Sequence, residues 1–171
     1  MRLISKFVLA AGALAVASIL AAAHASAQTK LKWAHVYETS EPFHKWSVWA
    51  ADEIKKRTNG RYEVQVFPAS SLGKETDINQ GLTLGTVDII ISGLSFAARQ
   101  TPRIGVGYYP YTVRDADHLL AWAKSPAFNE LAALYRDKSG IQVAAMTYYG
   151  TRHSTSNKDF KDCAGMKGLK M

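Results

Sequence analysis

Cysteine is nearly absent. The only one in 171 residues is Cys163, so no disulfide can close within the chain, and a lone thiol this near the C-terminal end reads as a bystander rather than a nucleophile. Catalytic spacing is missing as well. There is no G-x-S-x-G elbow. The five histidines, at positions 24, 35, 44, 118 and 153, include no H-E-x-x-H pair or similar ligand spacing, so no metal and no cofactor is expected. His35, at the end of an apolar run, reads as a satisfied core or rim histidine, and His118 beside Asp117 as part of a solvated face. Gly105 and Gly107 fit neither G-x-G-x-x-G nor a P-loop. Tyr108, Tyr109 and Tyr111 lack the interleaved Lys/Arg row that base stacking needs. The formal charge of +7 falls to +5 once Arg2 and Lys6 are set aside, far short of a nucleic-acid stripe. Such a mild excess would suit a small anionic ligand, but a solvated basic surface is the more common explanation. After residue 23 no second long apolar run occurs, so the mature chain is not expected to span a membrane.

What is present begins with an export signal. Arg2 and Lys6 give a positive start, Phe7 to Ala23 is an apolar run, and Ala25-Ser26-Ala27 is a small-x-small cleavage site that would make Gln28 the new N-terminus. Residues 1–27 are therefore expected to be removed and the mature protein to work in the periplasm. What remains is one ordinary domain by length, with a globular composition of 47% hydrophobic and 20% charged residues.

Past the signal, strand and helix patterns alternate. Leu31 to Val36 reads as a strand. Thr39, Ser40 and Pro42 announce a helix with a hydroxyl cap, along which Phe43, Trp46, Ala50 and Ile54 recur at inward spacing until Asn59-Gly60. Tyr62, Val64 and Val66 alternate with Glu63 and Gln65 as a second strand. Lys74 to Leu84 reads as a helix with Ile78 and Leu82 inward, stopped by Gly85. Val87 to Ile91 reads as a third strand covered on both faces. This order predicts a parallel sheet with right-handed crossovers. Ligands of such sheets sit beyond the carboxyl ends of the strands, which selects Tyr37 to Ser40, Ser70 to Lys74 and Ser92 to Ser95, and within them Tyr37, Glu38, Ser92 and Gly93 as candidate ligand-binding residues. Arg99 to Thr112 looks like connecting structure. Asp115 caps a helix running to Lys124, Pro126 opens another with Phe128, Leu131, Leu134 and Tyr135 on one face, and Gly140 ends it. Ile141 to Thr147 reads as a fourth strand. Asp162 to Met171 begins like a turn and starts a further strand at Gly168, so the sequence reads as a fragment of a longer protein.

Tyr148 to Asn157 (YYGTRHSTSN) sets one arginine among small hydroxyl and amide side chains. A guanidinium is a planar fork that matches a carboxylate bidentately, and Ser and Thr can complete the anion's remaining lone pairs. Arg152 is thus the candidate ligand anchor.

The same segment, with Met166-Lys167-Gly168-Leu169-Lys170, resembles the periplasmic solute-binding proteins of TRAP transporters (tripartite ATP-independent periplasmic transporters). Phe67 to Gly73 (FPASSLG), Gly85-Thr86-Val87-Asp88, Tyr109-Pro110-Tyr111 and Asp115 to His118 (DADH) are similar to that family's motifs and occur in its order. The resemblance implies an α/β fold: a periplasmic-binding-protein-like lobe with a largely parallel sheet flanked by helices. That first lobe would cover residues 28–147, with 148–171 as the crossover and start of a second lobe that is mostly missing. It implies a receptor that captures a small organic anion, closes on it, and delivers it to the TRAP permease membrane subunits. Arg152 corresponds to a family arginine near the bound carboxylate, whereas the family's most characteristic arginine follows the G-L-K-x segment, where this sequence stops. Gly93 replaces the acidic residue of sialic-acid-binding members, which leaves C4-dicarboxylates or sugar acids as the expected cargo. Two rivals remain from other classes. One is a periplasmic hydrolase using Ser154 or Ser156 with His153, although neighbouring side chains of an extended segment point opposite ways. The other is a basic surface-binding module.

Overall fold

Period-two alternation in the first third of the mature chain builds a small parallel sheet, seen in a computed structural model that describes residues 28–169. The expected signal peptide, residues 1–27, and the last two residues, Lys170 and Met171, lie outside the described residues. The chain divides between Phe96 and Ala97 into two compact units.

The first unit holds β1 (Thr29–Ala34), α1 (Pro42–Arg57), β2 (Tyr62–Phe67), α2 (Glu75–Leu84) and β3 (Ile89–Ile90). The strands lie in the order β2-β1-β3 and every pairing is parallel, with Leu31 opposite Val64, Trp33 opposite Val66 and Ile89, and Ala34 opposite Phe67 and Ile90. The core is Ala34, Ile78 and Val87, with Val36, Phe67 and Ile90 packed around it. Gly85 ends α2 at φ +74°, a left-handed conformation that costs glycine little.

Three expectations for this unit are corrected. The α1 cap is Glu41, with no side-chain capping bond, so neither Thr39 nor Ser40 caps the helix. Trp46 is 64% exposed, and the inward position beside it is Ser47, 2% exposed. Ser47 tolerates burial because its Oγ donates to the Phe43 carbonyl at 2.8 Å, which satisfies the hydroxyl. The third strand is paired over only two residues and is half-buried. Its start is pre-empted by Asp88, whose Oδ2 accepts from the Lys32 N–H at 2.7 Å and so takes a donor of the ladder.

The second unit carries a 3-10 helix (Pro102–Tyr108) inside the predicted connecting stretch, then α4 (Ala116–Ala123) and α5 (Pro126–Ser139); a one-turn helix α3 (Leu94–Ala97) lies at the boundary. Asp115 caps α4 by accepting from the His118 N–H at 2.7 Å, Ser125 caps α5 by accepting from the Phe128 N–H, and Gly140 ends it at φ +72°. Ile104, Leu119, Phe128, Ala132 and Tyr135 are among its buried residues, and the Trp122 and Phe128 rings meet at 4.7 Å. The expected fourth strand does not form: 141–147 has no regular structure, and among the described residues no strand pairs with it. An apolar β-branched run becomes a strand only where a neighbour accepts its ladder bonds. The strand expected to start at Gly168 lies partly outside the described residues; up to that residue the chain forms turns.

Candidate functional site

The order β2-β1-β3 places a topological switch point between β1 and β3, the candidate crevice of this sheet. The chain leaves β1 toward β2 on one side and then crosses over to β3 on the other, so the loops following β1 and β3 diverge at their carboxyl ends. That divergence is the place where doubly wound sheets take ligands. Ala34 pairs with Ile90, so Tyr37 and Glu38 follow one strand of the crevice and Ser92 and Gly93 the other.

Each loop is held by specific bonds. The Tyr37 ring stacks on Phe43 at 4.5 Å, and the Glu38 N–H donates to Glu41 Oε1 at 3.1 Å. The loop after β2 is sewn to the same stretch: the Ala69 N–H donates to the Tyr37 carbonyl at 2.9 Å and the Ser70 N–H to the His35 carbonyl at 3.3 Å. These bonds hold Ala69 and Ser70 at φ +51° and +58°, a conformation uncommon outside glycine.

Across the crevice, Glu75 from the first turn of α2 holds the loop after β3. Its Oε1 accepts from Ser92 Oγ at 2.9 Å and from the Gly93 N–H at 2.9 Å, while Asn79 Nδ2 donates to Ser92 Oγ at 2.8 Å. The Ser92 hydroxyl and the Gly93 N–H are thus committed within the protein, and among the described residues no hydrogen bond reaches Oε2 of Glu75. Sequence reasoning missed Glu75 and Asn79. Their signal was available: they lie at i and i+4 on the helix that leaves the carboxyl end of β2, so both reach the same edge.

Below the rim, His35 is 1% exposed, and its Nε2 lies 3.3 Å from His44 Nδ1. His35 is buried, as a core histidine should be, but it is satisfied at one nitrogen only, where a second histidine is its partner. Its Nδ1 lies by the Tyr37 backbone without reaching a full hydrogen bond. Burial lowers the His35 pKa below 6.5, and the neighbouring charge of His44 lowers it further; the Tyr37 backbone and Glu41 pull upward and are outweighed. In the window below 6.5 the unfolded chain therefore binds more protons at this position than the folded one. Its stability contribution is complete above that value and is lost as pH falls through the window. Melting temperature should accordingly drop between pH 7 and pH 5, and by less in His44→Gln, which removes the second charge. Identical pH profiles for the two proteins would show that the pair does not couple.

In the second unit Arg152 is exposed, and its Cζ lies over the Tyr108 ring, 4.8 Å from the centroid. Among the described residues no carboxylate pairs with it. His153, Ser154 and Ser156 lie in the same irregular stretch, and Ser156 Oγ accepts a local bond from the Lys158 N–H at 3.3 Å. No hydrogen bond among the described residues joins His153 to either serine, so a nucleophile–base pair is not assembled here. Among the described residues no cluster of three or more His, Cys, Asp or Glu is placed to hold a metal, and no helix is long and apolar enough to cross a membrane.

Residues 33–171 match the family model described as bacterial extracellular solute-binding protein, family 7 (DctP). A solute-binding protein of Roseobacter denitrificans is 30% identical over 171 residues, all of this chain and 52% of the relative. The crystal structure of a TRAP periplasmic solute-binding protein from Haemophilus influenzae with bound L-gulonate superposes with a TM-score of 0.76 at 30% identity, over 82% of this chain and 46% of that one. A TRAP periplasmic solute-binding protein from Sulfurospirillum deleyianum with bound succinate superposes with a TM-score of 0.56 at 28% identity, over 65% and 34% of the two chains. The chain spans about half the length of the curated relatives it matches. A match over residues 33–171 leaves no doubt on the point: the chain belongs to the bacterial extracellular solute-binding protein family 7.

Proposed function

We propose that the protein is the periplasmic receptor of a TRAP-type transport system, exported by cleavage after Ala27. It captures a small organic acid, a C4-dicarboxylate or a sugar acid, and hands it to the permease membrane subunits. The observation that carries the reading is the Arg152 guanidinium, which lies against an aromatic face without a carboxylate partner among the described residues. An unpaired planar fork is a ready receptor for a carboxylate. Capture and release need no bond making: a ligand that binds the closed state better than the open one shifts the population between them.

Of the two ligand classes, the crevice favours sugar acids. Glu75 is fixed by Ser92 and Gly93, with an oxygen left to accept. It can take a bond from a ligand hydroxyl, whereas a carboxylate brought to it would meet like charge. L-gulonate bound to the Haemophilus relative is such a polyhydroxy monocarboxylate.

A thermal-shift titration of the signal-free, full-length protein with L-gulonate and succinate tests this. Ligand at about 100 times its dissociation constant adds about 2.7 kcal/mol, a rise of several degrees. The rise is expected with the sugar acid and to be weaker with succinate. A folded protein that responds to no carboxylate would reinstate the hydrolase and surface-binding readings.

A further inference from the structure

We infer that Tyr108 is a positioning residue for Arg152, a fixed aromatic platform that sets the plane of the guanidinium. The inference rests on the reading of Arg152 as the carboxylate anchor and adds the group that makes it one.

Arg152 lies in a stretch without regular structure, 148–158, where every residue but Ser156 is exposed. A long side chain on such a stretch samples many rotamers, and a bidentate contact has to freeze them. Tyr108 removes part of that freedom. It is the last residue of the 3-10 helix Pro102–Tyr108, whose first turn is closed by the Ile104 N–H donating to the Thr101 carbonyl at 3.1 Å. Ile104 is 0% and Thr101 1% exposed, so the start of this helix is seated in the unit's interior, while Tyr108 at its end is 42% exposed and presents its ring at the surface. Gly105 packs close: a Cβ added there would lie 2.8 Å from Ala98 Cβ. The ring is thus carried by a regular, partly buried element, while the arginine is carried by an exposed, irregular one.

The geometry also preserves function. A guanidinium over a ring spends its face on the contact, and its N–H donors point outward in its own plane. Stacking is therefore compatible with a bidentate carboxylate in a way that an ion pair to a protein carboxylate would not be. The phenol hydroxyl has no part in this, so phenylalanine should substitute for Tyr108.

The test is a double-mutant cycle in the full-length, signal-free protein, by calorimetry with L-gulonate and succinate. It is paired with NMR relaxation of the Arg152 side-chain Nε–H, which reports the order of that group without any ligand. Tyr108→Leu should weaken binding about five-fold, Tyr108→Phe should leave it within about two-fold, and Tyr108→Leu should have no further effect once Arg152 is alanine. The Arg152 Nε–H should become mobile in Tyr108→Leu and stay ordered in Tyr108→Phe. A loss in Tyr108→Leu that persists in the Arg152→Ala background would reveal a merely structural role and overturn the inference, as would an Arg152 side chain equally ordered in Tyr108→Leu. If Arg152→Ala itself binds like wild type, or neither acid binds wild type, the anchor reading of the preceding section fails. The relaxation result then decides separately whether Tyr108 orders the side chain.

Discussion

Arg152→Ala should reduce affinity for the organic acid by about 10- to 100-fold, the equivalent of the roughly 1.5–3 kcal/mol carried by hydrogen bonds to charged groups. The ligand-free protein should hardly notice. Arg152 is exposed, no hydrogen bond or ion pair holds it among the described residues beside its approach to the Tyr108 ring, and surface changes of this kind stay within about 0.5 kcal/mol. Arg152→Lys separates charge from shape. An ammonium keeps the attraction but loses the planar pair of donors, so it should recover only part of the affinity. Isothermal calorimetry on the three proteins, each with its melting temperature measured without ligand, distinguishes the cases. Equal affinity for Lys and Arg would remove the bidentate contact. Equal affinity for Ala and Arg would remove the residue from the site.

What could be read from sequence depended on how local the cause was. Strands β1 and β2 and all the long helices follow from periodicity and capping within a few residues, as with Asp115 before α4 and Gly140 after α5. The candidate loops needed only the alternation of strand and helix. At three features the reading failed or was silent, two of them for want of a partner distant in sequence. The run 141–147 has strand composition, but a strand is a property of a pair. Trp46 has the hydrophobicity of a core residue, yet it is Ser47 that turns inward, because a bond to Phe43 satisfies its hydroxyl. Glu75 looked like the first-turn carboxylate of any helix. Its bonds to Ser92 and Gly93 cross 17 and 18 residues and arise only once β3 lies beside β1. The sheet order itself, with β1 in the middle, is the fact that turns three separate loops into one crevice edge, and no local signal encodes it.

That dependence of the rim on the core makes Ile78→Ala the most damaging single change to the first unit. Ile78 is 1% exposed, between Ala34 and Val87, with Val36, Phe67 and Ile90 around it. Removing the side chain should cost about 2–5 kcal/mol, from lost burial plus the cavity left in a rigid surround; Ile78→Val should cost about 0.5–1.5 kcal/mol. The position matters beyond its volume. Ile78 is one turn along α2 from Glu75 and adjacent to Asn79, so the side chain that seats the helix on the sheet also sets where those two groups meet Ser92. Stability and site geometry should therefore fail together in Ile78→Ala. Arg152→Ala should separate them, with binding lost and folding kept. Urea unfolding of the full-length protein gives the stability, and calorimetry on the fraction still folded gives the affinity. A loss below about 1 kcal/mol would mean that α2 is not anchored through this residue. A full loss of stability with undiminished affinity per folded molecule would mean that the Glu75–Ser92 contact is held by the loop after β3 alone.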